Sequence, residues 1–176
     1  LDSGGFTELS MHGRWLTDAK TYARDVLRFS DEIGGLDWAA PQDWMCEPEM
    51  LAKTGRSVEQ HQELTVASVL ELRAMGVKVI PVLQGWTMGQ YFDCVELYSK
   101  NGIELRSEPV VGLGSVCRRQ RMTSAALIVS MLADEGISLH GFGFKASGLQ
   151  AVADKMRSAD SLAWSLNARK SSPRPE

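Results

Sequence analysis

The sequence predicts an α/β fold, and within that class a (β/α)8 barrel of the TIM type with about six βα units present. Three observations carry this. Apolar segments rich in β-branched residues alternate with amphipathic helical patterns along the whole chain. No low-complexity stretch interrupts them, and polar residues or glycines stand at nearly every strand's C-terminal end. The alternation requires a parallel sheet covered by helices. The polar strand ends favour a barrel over a doubly wound sheet, because barrels assemble their sites there.

The chain opens on Leu1-Asp2-Ser3-Gly4-Gly5-Phe6, which reads as the end of a strand running into a glycine turn. With no initiator Met, residues preceding Leu1 are expected. Residues 17–29 place Ala19, Tyr22, Ala23, Val26 and Leu27 on one helix face, with Thr17 as N-cap and Gly34-Gly35 as the stop. A short strand at 36–40 leads into a long loop, 41–55, in which 45–51 could serve as a lid. A second helix, 57–75, is closed by Gly76. The clearest buried strand is 77–83, running straight into Gln84-Gly85-Trp86, and a third helix follows at 88–100. The remaining units are a strand at 109–114 with a helix at 119–134, a strand at 137–143 with a helix at 147–156, and a last strand at 158–164. Residues 1–166 are thus expected as one catalytic domain, and 167–176 as a polar, basic, disordered tail.

Composition narrows the function. At 176 residues with 44% hydrophobic content the chain can bury a substantial core. A net charge of −3 argues against a protein wrapped in nucleic acid, although a local basic groove is compatible with it. Three cysteines, Cys46, Cys94 and Cys117, form neither a disulfide framework nor a CxxC metal motif, which points to a reducing, cytoplasmic setting. There is no apolar run of membrane-spanning length and no signal peptide, so no membrane partner is expected.

The strand ends collect Asp2 and Ser3, Asp37, Gln84 and Gly85, the 112–114 turn, the 140–143 turn and Asp160. Acids, an amide and glycine turns around one mouth suit a purine. A carboxylate accepts from the N1–H and exocyclic amine of guanine, while an amide and backbone N–H groups donate to O6 and N7. A second carboxylate near a sugar C1′ can act as nucleophile, and a third can shuttle the proton of the departing base. Arg118, Arg119, Arg121 and Lys145 could contact phosphates or form a solvated helix start. Of the histidines only His140 stands at a strand end; a structural hydrogen bond is its other reading. Trp86, directly after Gln84-Gly85, could flank a flipped base.

Asp2-Ser3-Gly4-Gly5-Phe6, Leu36-Asp37, Leu83-Gln84-Gly85, Gly112-Leu113, Gly141-Phe142-Gly143 and Ala159-Asp160-Ser161 resemble, in the same order, motifs of the tRNA-guanine transglycosylase superfamily. The Ser-Ala-Asp-Ser stretch with a following Trp, and Cys-Arg-Arg after the Gly-Leu-Gly turn, are most similar to its DpdA branch (deoxypurine in DNA protein A), which exchanges guanine for a 7-deazaguanine in DNA. The resemblance implies Asp160 as the nucleophile forming a covalent glycosyl-enzyme and Asp2 as general acid/base. It implies Ser3, Asp37, Gln84, Gly85, Gly112 and Leu113 as the base-binding set, and Arg118, Arg119 and Lys145 on the nucleic-acid backbone. The implied partners are DNA or, alternatively, tRNA, a 7-deazaguanine base, and a homodimer mate or accessory proteins. A catalytically silent subunit that binds nucleic acid or a partner is the reading of a different class.

Two departures refine this. Bacterial tRNA enzymes carry a glutamate five positions after the glycine matched by Gly112, where it helps to read an aminomethyl base; here Cys117 stands there. That favours the neutral 7-cyano-7-deazaguanine. The superfamily's C-terminal Cys/His zinc cluster is not found within the 176 residues, so no cofactor is expected in them, and a structural zinc only if such a cluster lies beyond Glu176.

Overall fold

The computed structural model describes residues 1–116, 123–144 and 146–161. Arg118, Arg119, Arg121, Lys145, Cys117, Trp164 and the expected tail at 167–176 lie outside the described residues.

The elements run α1 (Gly5–His12), α2 (Ala19–Ile33), α3 (Pro48–Thr54), α4 (Val58–Ala74), β1 (Val82–Leu83), α5 (Met88–Lys100), β2 (Val111–Leu113), α6 (Thr123–Asp134), β3 (Leu139–Gly141), α7 (Ala146–Leu149) and β4 (Met156–Ala159). The strands form one parallel sheet in the order β1-β2-β3-β4, each joined to the next through helix. Two further segments extend it. Ala39 bridges Val79 in parallel, and the Leu1 amino group donates to Trp38 O at 2.9 Å while Ala40 N donates to Leu1 O at 2.8 Å. Six consecutive chain segments therefore run side by side, so the mixed α/β expectation with a parallel sheet holds.

Residues on one side of these strands, Ala39, Val79, Leu83, Val111, Leu113 and Leu139, sink into a core with α2, α4, α5 and α6. The other side curls inward. Trp38, on the second segment, reaches the fifth: its ring lies 4.8 Å from that of His140 and 6.5 Å from that of Phe142, edge to face in both cases. Gly112 is required by this closure, since a Cβ there would sit 2.4 Å from Phe142 and 3.0 Å from Val82. On the outer side Tyr98 both donates to Val82 O and accepts from Val82 N, at 3.0 Å each, which fixes α5 on β1.

Elements with explicit caps fall where the sequence puts them. Ser57 with Gln60 and Thr87 with Gln90 form reciprocal capping boxes at α4 and α5. Elsewhere the structure corrects the expectations. Asp18, not Thr17, caps α2, accepting from Thr21 N. Gly5–His12 is helical and packs on α3, itself within the expected long loop; Leu9, Trp44 and Met50 make a separate small core there. The 77–83 segment pairs regularly only at Val82–Leu83, because Pro81 offers no N–H to the ladder. The expected 147–156 helix is instead α7, a 3-10 turn at Ala153–Lys155, and the start of β4.

Arg73 closes the N-terminal end of the sheet. Its guanidinium donates twice to Glu108 at 2.8 Å and twice to Val79 O at 3.0 and 3.2 Å, joining α4, the third segment and the approach to β2. Arg73→Ala is expected to cost about 2 kcal/mol, on the scale of lost hydrogen bonds to a charged group, measurable as a lower urea midpoint.

Candidate functional site

The direction of the strands sorts the candidate residues into two groups. Asp37 precedes Trp38-Ala39 and belongs to the N-terminal end, where it lines a groove of about 800 Å³ with Lys78, Arg73, Glu108 and Arg157. It is exposed and is not brought to the other candidates. The acid carried to the C-terminal end of that segment is Asp43, six residues on. Its Oδ1 accepts from Ser3 Oγ at 3.2 Å and its Oδ2 from Gln84 Nε2 at 2.5 Å. Asp43 therefore takes the place beside Ser3 and Gln84 that the sequence reading gave to Asp37. The signal was available, because an acid that starts a strand cannot line the mouth at its far end.

Gln84 is the hub and is fully buried. It directly follows β1; Gln62 of α4 holds its backbone carbonyl at 2.7 Å, and Ser115 Oγ lies 2.7 Å from its Oε1. Ser115 also accepts from Cys46 N at 2.8 Å and contacts Glu47 Oε2 at 2.9 Å. This residue follows β2 with φ of 56°, the only positive φ outside glycine among the described residues. A strained backbone whose side chain is held by three polar neighbours marks a site where geometry is over-determined. Gly114 makes the space: a Cβ there would lie 2.3 Å from Gln84 Nε2 and 2.7 Å from its Cδ. Gly114→Ala should push Gln84 off Asp43 and cost about 1–3 kcal/mol by overpacking, read by denaturation and by loss of any base binding.

Neither Ser115 nor Glu47 was anticipated from the sequence, and the 45–51 segment is not an exposed flap. His61 of α4 holds Met45 O through Nδ1 at 2.7 Å, Thr65 holds Trp44 N, and Cys46 and Glu47 are buried. These residues form a fixed wall. Burial pushes the Cys46 thiol far up, so it is neither nucleophile nor ligand in this setting.

Burial, reinforced by the nearby Asp2 charge, pushes the Asp43 carboxyl up to about 7, while Gln84 and Ser3 act in the opposite sense. Asp2 itself is exposed on the turn that Gly4, at φ 77°, directs into α1. Ser3 Oγ accepts from Gly5 N at 3.3 Å, which holds the turn.

Asp160 follows β4 at the same end of the sheet. Its Oδ1 accepts from Gly143 N, its own N donates to Gly141 O at 3.2 Å, and its Oδ2 is 3.8 Å from His140 Nε2. His140 and the Gly143 amide hold this carboxyl below its usual range against partial burial.

Of the other candidates, Gly85 is buried, with a would-be Cβ 3.1 Å from Tyr91 N. Gly112 N donates to Pro81 O at 2.8 Å, and Leu113 turns its side chain into the core and accepts from Phe142 N. The Gly112 amide is thus engaged in the sheet rather than free for a base. Among the described residues no three His, Cys, Asp or Glu side chains are grouped to hold a metal, and no helix is long and apolar enough to cross a membrane.

One carboxyl pushed up and one held low, with an amide hub, fit chemistry in which one carboxyl binds and another attacks. No curated protein matches the chain. The family model described as "DpdA: DeoxyPurine in DNA protein A" matches residues 1–176, the whole sequence, and the chain belongs to that family.

Proposed function

We propose that the chain is a base-exchange pentosyltransferase that replaces guanine in DNA with a 7-deazaguanine, such as 7-cyano-7-deazaguanine, through a covalent glycosyl-aspartate. Membership of the DpdA family supports DNA as the polymer. The observation that carries the chemistry is the placement at one end of the sheet of Asp43, bonded to Ser3 and Gln84, and of Asp160, bonded to the Gly143 amide; burial pushing Asp43 up while its partners hold Asp160 low agrees with it.

In this reading Asp160 attacks C1′, and Asp2 gives a proton to the leaving guanine and takes one from the incoming base. Asp43, in its ionised form, accepts from N1–H and the exocyclic amine. Gln84 and Ser3 hold Asp43 in place. Two displacements at one carbon retain configuration. The target nucleotide must leave the duplex stack, at a cost of a few kcal/mol recovered by the pocket and by phosphate contacts, for which Arg118, Arg119 and Lys145 are the candidates. The curled sheet with its polar strand ends supports the wall of a (β/α)8 barrel, and residues 1–166 as its catalytic domain.

The test is release of label from guanine-labelled duplex DNA and from guanine-labelled tRNA, each incubated with unlabelled 7-cyano-7-deazaguanine. Label leaves DNA only in the expected result. Release from tRNA alone would reassign the polymer. A folded protein that releases label from neither but binds DNA would be a silent subunit.

A further inference from the structure

Resting on the base-exchange reading, we propose that His140 is a positioning residue for Asp160. Anchored by Ser158 through Nδ1, it presents Nε2–H to Asp160 Oδ2 and so sets the balance between the free carboxylate and the glycosyl ester.

The geometry distinguishes the two oxygens of Asp160. Oδ1 is occupied by the Gly143 amide, whereas among the described residues Oδ2 faces His140 Nε2, at 3.8 Å. That imidazole is 5% exposed, and its Nε2 is buried without a hydrogen-bond partner among the described residues, a costly state for a polar atom. Its ring cannot swing to seek another partner. Edges against Trp38 and Phe142, at 4.8 and 4.9 Å, hold it, and Ser158 Oγ lies 2.8 Å from Nδ1. A Ser158 hydroxyl donating to Nδ1 leaves the proton on Nε2. The reverse tautomer would aim a lone pair at a carboxylate.

The chemistry follows from that placement. In the first displacement Oδ2 bonds to C1′, the C1′–N9 bond breaks, and its electron pair leaves with guanine, which is protonated. In the second, N9 of the deprotonated incoming base bonds to C1′, and the C1′–Oδ2 pair returns to the carboxylate. An N–H facing Oδ2 favours the anion over the ester. The 3.8 Å gap is about 0.8 Å beyond a hydrogen bond, and such contacts commonly tighten only in the loaded site. Removing the N–H should therefore let the ester accumulate, whereas a residue that merely packs would slow both displacements without shifting their balance.

The experiment measures the ratio of DNA-linked to free protein on denaturing gels, at equilibrium with a guanine-containing oligodeoxynucleotide and free guanine. His140→Phe keeps the ring contacts and loses the N–H; His140→Gln restores an N–H donor. The ratio should rise about tenfold in the Phe protein, the scale of one hydrogen bond to a charged group, and return toward the parent value in the Gln protein. An unchanged ratio in the Phe protein, or a Gln protein no different from it, overturns the proposal. A second measurement needs no activity: ¹⁵N spectra of the unliganded parent at about pH 8.5, above the ordinary histidine range, should show His140 protonated at Nε2 and bare at Nδ1. A proton on Nδ1 overturns the proposal while leaving base exchange standing. An adduct that persists in Asp160→Asn removes the nucleophile itself and fails the exchange reading instead. A parent that forms no adduct counts against both.

Discussion

Asp160→Asn should abolish base exchange, by a factor of about 10⁴ or more in kcat, while leaving the fold in place. The size follows from the role. An amide oxygen is a poor nucleophile toward C1′, and among the described residues no other carboxylate is hydrogen-bonded into the 140–143 turn to replace it. The fold should survive because the side chain is half exposed, and the amide keeps an oxygen to accept from Gly143 N. Asp160 is also held below its usual range, so its ionised form contributes stability above the ordinary carboxylate pKa, and that contribution is lost as pH falls through the lowered value. The Asn protein forgoes that contribution, and at neutral pH its melting temperature should fall by no more than a few degrees. The decisive readout is the denaturation-resistant protein–DNA adduct. The parent forms it when free base is withheld, and the variant should form none; an Asn protein that exchanges guanine at the parent rate would remove Asp160 from the mechanism.

How the sequence carried this site, and where it failed, depends on what each residue answers to. Asp160, Ser3 and Gln84 are legible because each directly follows a strand, or a strand-like segment, whose apolar run fixes the direction of travel. Helices α4 and α5 are legible because their capping boxes are local chemistry, complete within four residues. Asp37 misled because it adjoins an apolar run at the wrong end. Its exposed place in the N-terminal groove follows from strand polarity alone, and Asp43 would have emerged had that polarity been applied to 36–43. Glu47, Ser115 and His61 were beyond reach for a different reason. Ser115 meets Glu47 across 68 positions, and His61 holds Met45 across 16. Contacts of that kind depend on how α4 sits against the 41–47 wall, which no local pattern encodes. The helices α1 and α3 were likewise hidden, because both are short and bury little beyond Leu9 and Met50, so neither shows a full apolar stripe.

Asp43→Asn should separate stability from function, with opposite signs. The folded carboxyl titrates at about 7 against an ordinary value of 3.8, so the folded protein binds this proton more tightly than the unfolded chain does. A raised acid stabilises most below its unfolded pKa, and its contribution drains away as pH rises from about 4 to about 7, levelling off above that. Over about three pH units the loss is on the order of 4 kcal/mol for a fully coupled group. Asn does not titrate, can accept from Gln84 Nε2 through its oxygen and can donate to Ser3 Oγ, so it stands in for the protonated acid at every pH. Parent and variant should therefore have similar urea midpoints near pH 4, and the variant should be the more stable at pH 8. A stability difference that stays flat across this range would mean that Asp43 does not titrate there. Function should move the other way. Reading N1–H and the exocyclic amine needs two acceptors, and Asn offers one acceptor and a donor that opposes an N–H, so kcat/KM for guanine exchange should fall by about 10³ or more. On the proposed role, only the ionised fraction of Asp43 in the parent can read guanine. Its KM for free guanine should therefore fall as pH rises toward 7 and flatten above it, while the Asn protein shows no such inflection.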